Sequence, residues 1–149
     1  MSYRIPRYQI SLVRDGSLRA EAKRITQSTD AAPIIRALIG DADREHFVVL
    51  CLDGKNAVIA ANIVSVGSLN LAIVHPRETF KAAVLCNANA IICGHNHPSG
   101  DPEPSMEDQA LTKRLHAAGE VLGIKLLDHI IVGDPGRQYS FADQGRLDH

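Results

Sequence analysis

The chain has no tryptophan, three tyrosines, three phenylalanines and three cysteines in 149 residues, and each shortage narrows what it can do. So few aromatics leave little for the stacking platform on which single-strand nucleic-acid binders hold bases. Charge of one sign is also missing: 16 Lys and Arg stand against 17 Asp and Glu, for a formal charge of −1. With no global positive excess to release counterions from a phosphate backbone, strong DNA binding is not expected, although a local basic patch stays open. Cys51, Cys86 and Cys93 form an odd set with no CxxC pair, each inside an apolar run where a small buried thiol is common. That usage suits a reducing cytoplasm. No apolar run reaches the ~20 residues of a membrane helix, and the opening MSYRIPRYQISLVRDG lacks the apolar core of a signal peptide. The expectation is a soluble, cytoplasmic protein with no membrane partner.

A length of 149 residues suits one domain whose core needs no disulfides. Helical spacing of Ile34, Ile35, Leu38 and Ile39 predicts a helix capped by Thr29 or Asp30, with Pro33 in its first turn and Gly40 closing it. Residues 46–52 and 57–66 are rich in Val, Ile and Leu and flank Asp53-Gly54-Lys55-Asn56, a β-hairpin pattern. Pro76 opens a second helix, PRETFKAAVLCNA, followed by a short buried strand at 90–93. HNHPSGDPEPS reads as a loop because of its prolines and glycine, and a long helix follows over 105–122, stopped by Gly123. Strands at 124–132 and 139–141 precede a tail that frays after Gly145. Strands interleaved with helices define an α/β or α+β three-layer domain with a mixed sheet. The Pro-rich loop sits at a strand-to-helix junction, where such folds place their ligands.

The chemistry concentrates in that loop. His95 and His97, one residue apart, point the same way on an extended chain, and Asp108 follows at the start of the long helix. Two imidazoles and one carboxylate would leave zinc a fourth position for water, as catalytic sites require. An HxH pair alone is weak evidence, and Ser105 to Asp108 also has the form of a helix capping box. The combination on a stiff, glycine-bearing loop is what carries weight.

The run HPRETFKAAVLCNANAIICGHNHPSGDPEPSMEDQALTKRL, followed by LLDHIIVG and YSF, closely resembles the RadC-like branch of the JAB/MPN (JAMM) metalloenzyme family. That family's signature is an upstream glutamate, then HxH, seven residues, Ser, two residues and Asp. His95, His97, Ser105 and Asp108 satisfy it without a gap, and the likeness extends over residues 44–141. The resemblance implies a cytidine-deaminase-like three-layer α-β-α sandwich holding one zinc ion per chain through His95, His97 and Asp108. It implies Glu45 as the general base and Ser105 as a hydrogen-bond donor to the developing oxyanion. Glu78 is the competitor for the base, but the family pattern does not assign it. His75, Arg77, Asp128 and His129 also match and become candidates for orienting the ligand imidazoles. Cys93 alternates with the histidines and reads better as a small core residue.

The organisation expected is an N-terminal segment with a short helix over 1–43, a RadC-like metal-binding domain over 44–142, and a frayed tail over 143–149. The longer relatives' helix-hairpin-helix region has no counterpart pattern in the first forty residues. An HNH nuclease is excluded because its three residues are spread over a ββα unit, whereas here they are consecutive. A zinc deaminase would need H-x-E and P-C-x-x-C, and a serine hydrolase of the nucleophile-elbow type would need G-x-S-x-G; none of these strings occurs. Two functions from different classes remain. One is a zinc hydrolase cleaving a peptide or isopeptide bond in a peptide or protein substrate. The other is a binding protein associated with DNA repair or mobile elements. The oligomeric state is open, a dimer included.

Overall fold

The computed structural model describes residues 1–39, 41–67 and 74–147. The elements in chain order are α1 (Ser28–Ile39), β1 (His46–Leu52), β2 (Val58–Val66), α2 (Pro76–Thr79), α3 (Lys81–Leu85), β3 (Ala90–Asn96), α4 (Met106–Leu122), β4 (Lys125–Val132) and β5 (Gln138–Ser140). The five strands form one mixed sheet in the order β2-β1-β3-β4-β5. β1 pairs antiparallel with both β2 and β3, β3 runs parallel to β4, and β5 folds back antiparallel on β4. A parallel pair needs a crossover, and α4 supplies it.

Strand alternation sorts the side chains onto two faces. Val48, Leu50, Leu52, Ile92, Ile130 and Val132 pack under α1 through Ile34, Ile35 and Ile39. Phe47, Val49, Cys51, Ile91, Cys93 and Ile131 pack under Phe80, Ala83, Leu111 and Leu115 of the opposite layer. The result is the expected α-β-α sandwich. At Gly94 a Cβ would stand 2.7 Å from the Ile35 side chain, so only glycine lets α1 lie this close to β3.

Several local expectations shift. The hairpin, α4 and its Gly123 stop, at φ 72°, fall where the pattern put them. α1 begins at Ser28, Pro33 lies beyond its first turn, and the Asp30 carboxylate reaches back to the amides of Thr26 and Gln27 at 3.0 and 3.3 Å. Gly40, expected to close α1, lies outside the described residues. The single helix expected after Pro76 is two short ones that meet at Phe80, whose ring is buried in the core. β3 runs three residues past the expected end, because backbone pairing with β1 on one side and β4 on the other carries it through Asn96. His95 and Asn96 therefore belong to a strand and only the residues after them to a loop. The tail expected to fray after Gly145 packs as far as Leu147, which joins the core, while Arg146 stands over the Tyr139 ring. No helix among the described residues is long and apolar enough to cross a membrane.

Candidate metal centre

His95 and His97 leave the end of β3 on the face that α4 covers, and α4 begins beside them. Ser105 caps the helix: its Oγ accepts from the Asp108 amide at 3.0 Å, and its own amide donates to Asp108 Oδ2 at 2.9 Å. This capping box locks the Asp108 carboxylate at the first turn without turning it from the histidines. His95 Nε2 lies 3.2 Å from His97 Nε2 and 3.3 Å from Asp108 Oδ1, and His97 Nε2 lies 3.0 Å from Asp108 Oδ2. Two ligands at zinc bond lengths of ~2.0–2.1 Å subtending a tetrahedral angle stand roughly 3.3 Å apart. The three side chains thus have the spacing of three corners of a metal tetrahedron, and together they form a group that could hold one ion.

The electrostatics agree. Burial opposes the Asp108 charge, but hydrogen bonds from His95 and His97 outweigh it and hold the carboxyl well below its usual range. The same bond to Asp108 raises His97 above its ordinary value, against the effect of burial. A carboxylate held in its charged form and facing two imidazoles is a donor set suited to a divalent cation.

Both imidazoles are oriented from behind. His97 Nδ1 donates to the Asp101 carbonyl at 2.9 Å, so the neutral ring turns the Nε2 lone pair toward the centre, while the charged ring donates from Nε2 to Asp108. His95 Nδ1 lies 2.7 Å from His129 Nε2, and His129 Nδ1 lies 2.5 Å from Thr112 Oγ1, whose proton goes to the Asp108 carbonyl at 2.7 Å. Thr112 has one proton and spends it there, so it must accept from His129 Nδ1. His129 Nε2 is then an acceptor, and His95 must carry its proton on Nδ1. One hydroxyl therefore fixes two tautomers, and the neutral His95 ring presents Nε2 unprotonated. Burial, with His95 alongside, holds His129 well below its ordinary pKa and keeps it neutral.

A β-bulge decides which residue of the Asp128-His129 pair does this. Ile91 pairs with Leu126 but Ile92 with Asp128, so β4 carries one extra residue. Every later side chain changes face: His129 aligns with Cys93 on the metal face, and Asp128 aligns with Ile92 under α1. There Asp128 accepts from Ser140 Oγ at 2.6 Å, the Ala142 amide at 3.0 Å and the His129 amide at 2.7 Å, clipping β4 to the turn after β5. Burial raises its pKa against those bonds. Asp128→Ala is expected to cost about 2–4 kcal/mol of stability, since it strands buried donors. Urea denaturation measures this, and zinc content should not change.

Glu45 precedes β1 in line with Phe47, two residues on, whose ring stacks on His95 with centroids 6.0 Å apart. It is half-buried and close enough to raise the His97 pKa. Its backbone is clamped on both sides by Asn96, which donates to the Arg44 carbonyl at 2.9 Å and accepts from the His46 amide at 2.7 Å. The middle residue of His-Asn-His thus ties the segment that bears Glu45 to the strand that bears His95.

The other candidates lie elsewhere. His75 caps α2 by accepting from the Arg77 amide at 3.0 Å, Arg77 is exposed, and Glu78 pairs with Lys81 at 2.9 Å. None of the three is part of the His95, His97, Asp108 cluster. Cys93 is fully buried below His95, where burial pushes its thiol pKa up. Two contributors escaped the sequence. Thr112 had a usable signal, since it lies four residues after Asp108 on the same helix face. Asn96 had none beyond its place between the histidines.

A mixed sheet delivering two imidazoles and a helix-borne carboxylate to one point defines a JAB/MPN-type domain with a candidate metal centre. The chain belongs to the RadC-like JAB domain family, whose model matches residues 25–146. It is similar to a UPF0758 protein of Caldanaerobacter subterraneus, 48% identical over 132 residues that cover 89% of this chain and 56% of the relative. A UPF0758 protein of Pelobacter propionicus is 58% identical over 107 residues, 72% of this chain and 46% of that one. A UPF0758 protein of Staphylococcus aureus is 52% identical over 132 residues, 87% of this chain and 58% of the relative. The chain spans about half the length of these curated relatives.

Proposed function

We propose that the protein is a zinc-dependent hydrolase of the JAMM type that cleaves a peptide-like amide bond, either peptide or isopeptide. The observation that carries this reading is the spacing of His95 Nε2, His97 Nε2 and Asp108, each about one tetrahedral edge from the next. His95, His97 and Asp108 would hold the ion. When bound, it would polarise the scissile carbonyl and acidify water at neutral pH.

The protein's own residues supply the rest. Glu45, half-buried just before β1 and close enough to raise the His97 pKa, would take a proton from the attacking water and pass it to the leaving nitrogen. The Ser105 Oγ accepts from the Asp108 amide, so its proton remains free to donate to the carbonyl oxygen as negative charge develops there. Asp101, His129 and Thr112 keep the imidazoles aimed. The exposure of Ser105 and of Pro98, Ser99, Asp101 and Glu103 in the loop before it gives an extended peptide an approach from that side.

The test is zinc analysis joined to turnover. Purified metal-free chain given one equivalent of zinc should bind it and hydrolyse members of a fluorogenic peptide and isopeptide panel. Zinc binding that survives Asp108→Ala unchanged would remove the basis of the proposal.

A further inference from the structure

The first two dozen residues are chemically unlike the rest. Residues 1–24 carry six Lys and Arg against two Asp and Glu, a net of +4, so the chain total of −1 leaves −5 on residues 25–149. They form an extended arm without helix or strand. The arm joins the sheet at its end, where Arg24 bridges antiparallel to Ala57 and the Val58 amide donates to the Lys23 carbonyl at 2.9 Å. Farther back along the arm, Leu12 returns to the domain beside β2. That side chain is half-exposed in a groove of about 270 Å³ lined by Asn62, Ile63, Val64, Glu78, Ala82 and Leu85. Beyond Leu12 the arm leaves its own domain: Tyr3, Ile5, Tyr8 and Ile10 are 77–84% exposed.

Two features of this tip identify what covers it. Tyr8, Ile10 and Leu12 alternate with polar Gln9 and Ser11, the pattern of a strand with one apolar side. β2 is an edge strand, and its Ile59, Ile63 and Val66 are exposed apolar residues. A bare edge with apolar residues invites an added strand. The arm's own domain leaves the tip bare, while a second copy offers its β2 edge and a body of opposite net charge. We infer that the basic, apolar arm of one chain docks on the β2 edge of a second copy, giving a two-fold dimer in which the arms are exchanged reciprocally. Such an interface is isologous, and each chain gives and receives one arm. Docking here involves none of the metal-binding side chains, so the inference stands apart from the hydrolase reading.

Sedimentation equilibrium of the full chain at tens of micromolar tests it, together with Tyr8→Asp/Ile10→Asp, whose changes lie on exposed positions. The wild type should be a dimer and the double variant a monomer with unchanged circular dichroism and zinc content. Geometry is tested in a Cys86→Ser background by mixing an Ile10→Cys chain with an Ile63→Cys chain. Mild oxidation should give a mixed disulfide dimer in larger yield than either chain alone gives with itself. A monomeric wild type overturns the inference, and so does a dimer that survives the double variant. Preferential Ile10-to-Ile10 cross-linking overturns the docking site, and a wild type that stays monomeric and uses the arm to bind duplex DNA with a steep salt slope assigns the arm to nucleic acid instead.

Discussion

Asp108→Ala is expected to lower zinc affinity roughly 10²-fold or more, the scale reached when one of about four ligands sharing 10–16 kcal/mol is lost. Two consequences follow from the geometry. The capping box goes with the carboxylate, because Ser105 loses its partner at N3, at a cost of about 1 kcal/mol in helix stability. His97 loses the group that raises its pKa above the ordinary 6.5. In the wild type, protons compete with the ion for His97, so zinc affinity should fall as pH drops through the region just above that value and below it. In Asp108→Ala the residual affinity should begin to fall only at lower pH, since the imidazole no longer has the carboxylate to favour its charged form. Competition against a chromophoric chelator across pH measures both effects, with circular dichroism as the control for folding. Ser105→Ala separates cap from ligand: it should lose a similar share of stability and keep its zinc.

Glu45→Gln should do the reverse, keeping zinc while turnover falls about 10²–10⁴-fold, the range in which general acid-base groups contribute. The amide preserves the size and shape of the side chain but cannot take a proton from water. Because Glu45 is not among the ligating atoms, metal stoichiometry should stay at the wild-type level. Asn96→Ala is a graded version of the same experiment. It frees the backbone at Arg44 and His46 without touching the carboxylate, so its loss of turnover should be smaller than that of Glu45→Gln. Turnover on the peptide and isopeptide panel, read beside zinc content, checks the order. Equal activity in Glu45→Gln and wild type would show that the proton passes through another group.

What the sequence disclosed and what it hid divide along a physical line. Local patterns sufficed for the hairpin, whose turn residues Asp53 to Asn56 dictate reversal, and for α4, bounded by a capping serine and a left-handed glycine. The spacing of His95, His97 and Asp108 brought the candidate centre into view, because an extended strand followed by a stiff loop constrains where those side chains can meet. Features set by long-range packing were hidden. The break at Phe80 depends on a ring reaching the core, and the last residues of β3 depend on neighbours 36 or more positions away. The bulge in β4 is the clearest case: a single extra residue decides that His129 orients a ligand while adjacent Asp128 braces the opposite face. Alternation read from the sequence cannot tell which of the two neighbours faces the metal.

Zinc K-edge X-ray absorption on the purified full chain loaded with one equivalent of zinc tests the convergence of these three side chains most directly. The predicted spectrum is a four-coordinate site of nitrogen and oxygen ligands near 2.0–2.1 Å, with two imidazoles whose outer-shell scattering is reduced in His95→Ala and again in His97→Ala. A sulfur shell near 2.3 Å, or a zinc environment unchanged by either substitution, would contradict it.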